Sequence, residues 1–273
     1  TTFAPCTIVS EATGIAAAAA PTNTRGVQRQ MSTASQNDIA LARTLAVDAG
    51  ALLLALRESG AHKDRALGDA GDAQANALLL QRLAALRPND AVLSEESADD
   101  RSRLNAERVW IIDPLDGTRE YREGRDDWAV HIALVANGVV IAAAVSQPSR
   151  GDVFDSAPAP VPDIRQRKIV ISRSRPPKFA AGISEALNAE LHTMGSAGAK
   201  ALAVVRGEAI AYVHEGGLNE WDAAAPVGVA LAHGLQVCDL RGQPIVFNQH
   251  DVVLHGGFIV CRPECARTIL SHT

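Results

Sequence analysis

Residues 110 to 118 read Trp110-Ile111-Ile112-Asp113-Pro114-Leu115-Asp116-Gly117-Thr118. The apolar residues up to Ile112 predict a buried strand, and Asp113 stands at its end. Pro114 has no backbone N–H to donate and would break the pairing of that strand. Asp116 then returns after one turn to face the same point as Asp113. The stretch therefore predicts two converging carboxylates at the end of a strand.

The residues around these two carboxylates suit a magnesium ion. The Leu115 carbonyl would complete an all-oxygen set, which is the ligand type that Mg²⁺ favours. Gly117 would permit close approach of a phosphate, and the Thr118 hydroxyl could orient a water. The same residue types are also favoured in ordinary tight turns for local reasons. For this stretch alone, the site and the plain turn remain open.

Two further segments place acids at the ends of predicted elements. Glu95 and Glu96 follow the short apolar run that ends at Leu93, and Asp222 stands at the start of a predicted helix. Each has an ordinary alternative, a solvated acidic loop for the first pair and a helix N-cap for Asp222. Because all three acidic segments occur in one chain, a single shared site explains them better than three unrelated local roles.

The pattern along the chain predicts a layered α/β protein. Helical spacing covers residues 38–56 and 72–86, and strands are predicted at 91–93 and 109–112. Asn137-Gly138 between two apolar runs predicts a β-hairpin with a type I′ turn. Prolines between residues 156 and 162 mark a boundary, after which a strand at 168–172, helices at 179–191 and 198–205, a strand at 209–213 and a helix at 221–233 are predicted. We expect two sub-domains, residues 31–157 and 158–273, with the site between them.

Composition excludes several classes of function. The chain has 273 residues, 47% of them hydrophobic, and a formal net charge of −5, so it can bury a core but has no basic field for a nucleic acid polymer or an anionic membrane. No run of eighteen apolar residues is present, which predicts no membrane span. Four scattered cysteines favour reduced thiols and a cytoplasmic location. Residues 1–30 carry few bulky apolar groups and are predicted to be a disordered extension, with the folded part starting near Met31.

The ordered set of motifs resembles the inositol monophosphatase superfamily of lithium-sensitive phosphatases. The resemblance runs from about Asp38 to the C-terminus and rests on Ser94-Glu95-Glu96, on residues 110–118, on Gly195-Ser196-Ala197 and on Trp221-Asp222-Ala223-Ala224. Leu115, Arg119-Glu120-Tyr121 and Lys200 look most similar to the CysQ branch, which hydrolyses 3′-phosphoadenosine 5′-phosphate. Residues 124–131 look similar to the actinobacterial form of that branch.

The resemblance implies a layered αβαβα fold and a cofactor of two or three Mg²⁺ ions. It implies that Glu95, Asp113 and the Leu115 carbonyl hold one ion, and that Asp113, Asp116 and Asp222 hold a second. Asp72 and Thr118 would position the attacking water, with Glu96 assisting. Relatives are frequently dimers, so a homodimer is a further expectation.

One position departs from the family pattern. The family usually has Thr three residues before the upstream acid, whereas this chain has Asp69 before Asp72. The role of Asp72 as a water-orienting acid and its alternative role as a helix N-cap therefore stay open.

The implied substrate contacts combine the metal segment with residues of the second half. Ser172 follows a predicted strand, and the Gly195 and Ser196 amides with the Lys200 ammonium could meet a second phosphate at a helix start. The full expected set is Glu95, Leu115, Asp116, Gly117, Thr118, Ser172, Gly195, Ser196, Lys200 and Asp222. His131, His214 and His233 have no ligand spacing and are interpreted as structural or surface residues.

The sequence thus predicts a Mg²⁺-dependent phosphatase that converts 3′-phosphoadenosine 5′-phosphate to AMP and phosphate, a step that supports sulfate assimilation by removing an inhibitory by-product. The alternatives are an inositol-1-monophosphatase or a fructose-1,6-bisphosphatase of the same superfamily, because the metal motifs do not encode the leaving group. A non-catalytic metal- or nucleotide-binding protein is the alternative from another class. The complete acid set argues against it, because carboxylates buried together are costly without a cation.

Overall fold

The structure is a computed structural model that describes residues 36–161 and 163–273. The predicted extension at residues 1–30, Met31 and Pro162 of the predicted boundary lie outside the described residues. The helices are α1 (Gln36–Ser59), α2 (Asp64–Leu86), α3 (Thr118–Arg122), α4 (Ala180–Leu187), α5 (Ala197–Val205), α6 (Glu220–Ala232) and α7 (Ala266–Leu270).

Twelve strands in the described residues form two five-stranded sheets and one small pair. The strands are β1 (Ala91–Ser94), β2 (Arg108–Asp116), β3 (Ala129–Ala136), β4 (Val139–Gln147), β5 (Asp152–Asp155), β6 (Lys168–Ser172), β7 (Glu190–Met194), β8 (Ala211–His214), β9 (Leu218–Asn219), β10 (Gln236–Cys238), β11 (Val253–Leu254) and β12 (Phe258–Cys261). The first sheet has the order β1-β2-β3-β4-β5 and the second the order β10-β12-β8-β6-β7, while β9 pairs with β11.

The elements stack in five layers, which confirms the predicted αβαβα arrangement. Helices α1 and α2 cover one face of the first sheet, and α5 and α6 lie between its other face and the second sheet. Helices α4 and α7 cover the outer face of the second sheet. The middle layer joins both halves in one apolar core, since that core contains Val109 and Val145 from the first half together with Leu202 and Phe258 from the second. The division into residues 31–157 and 158–273 therefore stays a prediction about chain organisation.

Helix α1 is long and apolar enough to cross a membrane by length and composition alone. Its best window has a mean hydropathy of 1.8, and 44% of that window is buried inside the protein. The buried residues, such as Leu45 and Leu53, pack on the first sheet. A core helix with one buried face meets the same criterion, and this placement is that of a core helix.

Several predicted elements are confirmed and several boundaries are wrong. The hairpin turn has positive φ at Asn137 (51°) and Gly138 (75°), as a type I′ turn requires. The predicted helix at 179–191 ends instead at Leu187, because Asn188 adopts a left-handed conformation (φ 46°) and the chain continues as strand β7. Strand β2 does not stop before Asp113: it runs to Asp116, with a register shift against β3 between Asp113 and Asp116.

Helix α2 begins eight residues earlier than predicted. The glycines at positions 68 and 71 weaken the helical pattern in sequence, but they lie where the helix meets its neighbours. A Cβ at Gly71 would come 3.0 Å from Leu115 Cδ2 and 3.2 Å from Tyr121 Cε1. The glycines thus allow α2 to approach β2 and α3 closely, and Asp72 lies inside the helix. The N-cap interpretation of Asp72 is therefore wrong.

Candidate metal centre

Three carboxylates from two distant segments meet at the middle of the molecule. One oxygen from each of Asp113, Asp116 and Asp222 lies within 4.8 Å of the others. Asp113 and Asp116 come from the irregular end of β2, and Asp222 comes from the first turn of α6. The structure therefore brings together the predicted pair and the predicted helix-start acid.

Asp113 has the most unusual surroundings of the three. Its side chain is 1% exposed. Oδ1 accepts the Leu115 N–H at 3.0 Å, whereas Oδ2 has no hydrogen-bond partner among the described residues. Burial, with Glu95 and Asp116 close by, raises the pKa of Asp113 well above its usual range. An orphaned buried carboxylate oxygen is costly unless a cation meets it.

Asp116 is held by donors from other elements. Its Oδ2 accepts the Ser196 hydroxyl at 2.5 Å and the Gly198 N–H at 2.8 Å, and His131 Nε2 lies 3.1 Å away. Burial alone would raise its pKa, but His131, Lys200 and Ser196 outweigh burial and hold the pKa at about 2. Asp116 is thus ionised and fixed in orientation before any cation binds.

Asp222 belongs to a capping box at the start of α6. Its Oδ2 accepts the Asn219 N–H at 2.6 Å, and the Asn219 side chain accepts the N–H of Asp222. The N-cap residue is therefore Asn219, and the N-cap interpretation of Asp222 is wrong. Burial and the neighbouring Asp116 raise the pKa of Asp222 to about 6.

Glu95 lies beside this cluster and is exposed to solvent. Desolvation of its carboxyl group, together with Asp222 and Asp116, raises its pKa to about 7. Asn76 of α2 holds the loop in place: it accepts the Ser94 hydroxyl at 2.8 Å and donates to the Glu96 carbonyl at 3.2 Å. Asn76 is a site residue that the sequence analysis missed, although it stands one helical turn after Asp72.

Thr118 and Asp72 form a pair at the edge of the cluster. The Thr118 hydroxyl lies 3.3 Å from Asp72 Oδ1 and 3.2 Å from the Leu115 carbonyl oxygen, so it can donate to either. Burial and the nearby charge of Glu96 raise the pKa of Asp72 to about 7, against the opposing effect of Thr118. The structure thus joins Asp72 with Thr118, and Glu96 lies close enough to affect Asp72.

The donors at the start of α5 are largely engaged within the protein. The Gly195 N–H donates to Asp127 Oδ2 at 2.8 Å, and Ser196 caps α5 by accepting the Ala199 N–H. The Lys200 ammonium is buried, donates to the carbonyls of Gly195 and Ser196, and lies 5.0 Å from the centre of the Tyr212 ring. Substrate contact by Gly195, Ser196 and Lys200 stays a prediction, since it requires an exchange of partners.

Gly117 and Ser172, both predicted substrate contacts, come from different halves of the chain. Gly117 has a φ of 90° and precedes α3, and a Cβ there would come 3.3 Å from Ser196 Cβ. Ser172 ends β6 beside Met194 of β7, and its hydroxyl accepts the Arg175 N–H at 3.2 Å. The segments that come after β6 and β8 in the chain line a cavity of about 330 Å³. Its lining residues are Arg175, Pro176, Lys178, His214, Glu215 and Gly216.

His131, which the sequence analysis interpreted as structural or at the surface, is a buried residue next to the acidic cluster. It is fully buried, its Nδ1 lies 3.0 Å from the Trp221 carbonyl oxygen, and its Nε2 faces Asp116. Burial lowers its pKa, but the Asp116 carboxylate more than offsets that effect and raises it overall. The apolar neighbours Val130 and Ile132 in β3 do not indicate this contact with Asp116. His233, which bonds the Val229 carbonyl, is structural as predicted.

The donor set fits hard divalent cations. Among the described residues it offers only carboxylates and a backbone carbonyl, and one carboxylate oxygen is orphaned. Burial, together with mutual repulsion, raises the pKa values of Glu95, Asp113 and Asp222. Oxygen-only sets of this kind suit Mg²⁺, Mn²⁺ or Ca²⁺ rather than metals that prefer nitrogen or sulfur.

Comparison with known protein families identifies the family of this chain. The model of the inositol monophosphatase family matches residues 34–271. The chain therefore belongs to the inositol monophosphatase family, a family of phosphatases, as the sequence motifs predicted.

Curated relatives show which members of the family this chain is similar to. The chain is 51% identical over 256 residues to a 3′-phosphoadenosine 5′-phosphate phosphatase of Mycobacterium leprae, covering 87% of this chain and 93% of the relative. It is 31% identical to the 3′(2′),5′-bisphosphate nucleotidase CysQ of Escherichia coli, covering 70% of this chain and 83% of the relative.

Solved structures show the same fold. Inositol monophosphatase II of Staphylococcus aureus aligns with a TM-score of 0.72 at 20% identity, covering 86% of this chain and 92% of that one. CysQ of Bacteroides thetaiotaomicron, a bacterial member of the family, aligns with a TM-score of 0.70 at 25% identity, covering 83% and 97%.

Proposed function

We propose that this chain hydrolyses 3′-phosphoadenosine 5′-phosphate to AMP and inorganic phosphate with Mg²⁺ as its cofactor. The observation that carries the proposal is the cluster of Asp113, Asp116 and Asp222 with its orphaned Asp113 oxygen. The relatives at about half identity whose names state this substrate support the choice among phosphate esters.

The residues that would hold the cofactor are Glu95, Asp113, Asp116, Asp222 and the Leu115 carbonyl, for two or three ions. Bound divalent ions supply positive charge that offsets the phosphate oxygens and makes water a better nucleophile near neutral pH. Asp116, ionised and locked by Ser196 and Gly198, provides a fixed negative charge. Asp113 leaves one oxygen free for a cation.

Thr118 and Asp72 orient the attacking water. The Thr118 hydroxyl, 3.3 Å from Asp72 Oδ1, can donate to Asp72 while its oxygen accepts from a water. With a pKa raised to about 7, the Asp72 carboxylate can take a proton from that water near neutral pH. Glu96 acts on Asp72 through its charge rather than by contact with the substrate.

We propose that the nucleotide part of the substrate lies along one edge of the second sheet. The strand order places the ends of β7, β6 and β8 side by side, so Gly195, Ser172 and His214 lie along one edge of the second sheet. Arg175 and Lys178 line the cavity that follows this edge. Their cationic side chains suit a second phosphate group, since guanidinium and ammonium groups bind phosphate well.

The test is phosphate release from 3′-phosphoadenosine 5′-phosphate, inositol 1-phosphate and fructose 1,6-bisphosphate, with Mg²⁺ or with a chelator. Wild type is compared with Asp113→Asn and with Asp251→Asn, an exposed carboxylate that pairs with His255 away from the cluster. We expect preference for the nucleotide, lost with chelator and in Asp113→Asn but kept in Asp251→Asn. Preference for inositol 1-phosphate or fructose 1,6-bisphosphate would leave the mechanism in place and show that the proposed substrate is wrong. No phosphate release from any of the three substrates would overturn the whole proposal.

Three further expectations accompany the proposal. Lithium inhibits the enzyme, the protein acts in the cytoplasm without membrane or nucleic acid partners, and it forms a homodimer. Inhibition of phosphate release by LiCl against a KCl control tests the first. Sedimentation of the purified chain tests the last.

A further inference from the structure

Glu220 is a buried carboxylate outside the acidic cluster. It is the first residue of α6, is 0% exposed, and precedes Asp222 by two positions. Its Oε2 accepts the Asn248 N–H and its Oε1 accepts the Gln249 N–H, each at 2.7 Å. Both oxygens are therefore occupied by backbone donors, which offsets the cost of burying the charge. Glu220 ties the start of α6 to the loop at residues 247–249.

Arg103 holds the same loop from the other side. Its side chain is 1% exposed and pairs with Asp99 Oδ2 at 2.8 Å. The guanidinium also donates to Asn248 Oδ1 at 2.7 Å and to the Gln249 carbonyl at 3.0 Å. The Asn248 amide donates back to the Arg103 carbonyl at 3.1 Å. We call Arg103, Asn248, Gln249 and Glu220 the loop clamp.

The loop clamp connects two segments that carry cluster residues. Arg103 stands in the short helical turn Ser102–Asn105, which follows the loop of Glu95 and Glu96 in the chain. Glu220 opens the helix that supplies Asp222. The clamped loop is itself fixed to the first sheet, since the Phe247 N–H donates to the Gly138 carbonyl at 2.9 Å. The start of α6 is thus anchored to the first half of the chain by residues that do not touch the cluster.

Such an anchor counteracts the repulsion between the carboxylates of the cluster. Without a cation, Asp222 faces Asp113 and Asp116 within 4.8 Å, and like charges at this distance repel strongly when partly buried. A loosely held helix start would move away from the other carboxylates. We propose that the loop clamp is a positioning device that holds Asp222 against Asp113 and Asp116 in the metal-free protein, so that Mg²⁺ binds a preformed site.

This inference rests on the proposed metal site and adds residues that contact neither cation nor substrate. Without the clamp, part of the binding energy of Mg²⁺ is used to draw the helix start back into place. The apparent affinity then equals the intrinsic affinity multiplied by the fraction of molecules in the competent arrangement. At saturating Mg²⁺ the same cluster forms. The clamp therefore affects metal affinity more than turnover.

The test uses Asn248→Gly in the full chain. Asn248 has a φ of 58°, which glycine adopts readily, so the variant loses the amide contacts with Arg103 and keeps the backbone N–H that Glu220 accepts. The matched control is Asn188→Gly directly after α4, an exposed asparagine with a φ of 46°. Glu220→Gln is the second variant, because it keeps the size of the side chain and removes its charge.

Mg²⁺ binding is measured by calorimetric titration with the metal alone, and turnover is measured against Mg²⁺ concentration. We expect Asn248→Gly and Glu220→Gln to bind Mg²⁺ about 5- to 10-fold more weakly, with kcat at saturating Mg²⁺ within about 3-fold of wild type. Asn188→Gly should bind Mg²⁺ with the affinity of wild type.

Unchanged Mg²⁺ affinity in both clamp variants would overturn the inference, even if their melting temperatures fall, because the clamp would then be only structural. A drop in kcat at saturating Mg²⁺ as large as the drop in affinity would also overturn it. A wild-type chain that binds no Mg²⁺ would instead remove the metal site itself. That result separates failure of the proposed function from failure of the clamp.

Discussion

The Ser196 hydroxyl donates a hydrogen bond to Asp116 Oδ2 at a distance of 2.5 Å. Ser196 is also the N-cap of α5, where its hydroxyl oxygen accepts the Ala199 N–H at 2.9 Å. One side chain of the second half therefore both begins a middle-layer helix and orients a carboxylate of the first half. The helix start and the cluster depend on the same contact.

Ser196→Ala should weaken both the start of α5 and the orientation of Asp116 in the cluster. Loss of the cap and of the buried hydrogen bond should lower the free energy of unfolding by about 1–2 kcal/mol. Asp116 keeps the Gly198 N–H but loses one of its fixing donors, so we expect Mg²⁺ affinity to fall about 10-fold. Urea unfolding and calorimetric titration measure the two effects. The control is Ser271→Ala, whose exposed hydroxyl donates only locally, and an unaltered Mg²⁺ affinity in Ser196→Ala would contradict the role of this contact.

The metal-free protein should become less stable as the pH rises. Folding raises the pKa of Glu95 to about 7 and that of Asp222 to about 6, from ordinary values of 4.5 and 3.8. Between these values the folded state binds more protons than the unfolded state, so its stability falls as pH rises. Because Glu95 is partly solvated, we expect a loss on the order of 2 kcal/mol between pH 5 and 8 in chelator.

Added Mg²⁺ should reverse this trend, since the cation binds the ionised carboxylates of the folded state. Thermal unfolding at several pH values, with chelator and with Mg²⁺, measures both slopes. Asp222→Asn is the informative variant, because it should flatten the metal-free slope. Equal metal-free slopes in wild type and Asp222→Asn would rule out the repulsive cluster. The difference between the two proteins is decisive because buried His214, with a pKa lowered to about 4, contributes a slope of opposite sign to both.

Thr118→Val should lower kcat by about 100-fold or more, because the hydroxyl that links Asp72 to the water is lost while the size is kept. Thr118→Ser keeps the hydroxyl and should retain most of the activity. Phosphate release under saturating Mg²⁺ measures both, and Mg²⁺ titration checks that metal binding is intact. Equal activity of the valine and serine variants would remove Thr118 from the reaction.

Gly195→Ala should be strongly destabilising. A Cβ at this position would lie 2.2 to 2.4 Å from Glu120 side-chain atoms, so the Glu120–Arg173 pair would have to move. We expect a loss of about 2 kcal/mol or more in unfolding free energy. Gly182→Ala is the matched control in α4, where a Cβ meets only His272 at 3.5 Å, and it should stabilise by about 0.5–1 kcal/mol. Similar melting temperatures for both variants would contradict the close approach at Gly195.

Local patterns in the sequence predicted many of the helices and strands and the convergence of Asp113 with Asp116. Apolar periodicity located α1 and β2, and Asn137-Gly138 located the hairpin. The carboxylates stand at element ends, where strand and helix signals are clear. The family motifs then connected Asp113 with Asp222, which no local pattern could do.

Contacts that depend on tertiary packing could not be predicted. Gly68 and Gly71 lower helix propensity, yet they lie inside α2 because close packing against β2 and α3 outweighs that cost. His131 lies on an apolar strand, and only the register of β3 against β2 brings it opposite Asp113 and near Asp116. Glu220 and Arg103 are charged residues whose burial depends on a loop far away in the chain.

The middle helical layer also bears on how the finished protein arises. Asp222 reaches Asp113 only after α6 has docked between the two sheets, because its helix packs on β2, β3 and β4 of the first half. A partly folded chain thus presents isolated carboxylates with ordinary affinity for cations. With the proposed Mg²⁺ site, the metal is therefore expected to stabilise completed molecules selectively, so that the Mg²⁺ concentration affects the yield of active enzyme as well as its rate.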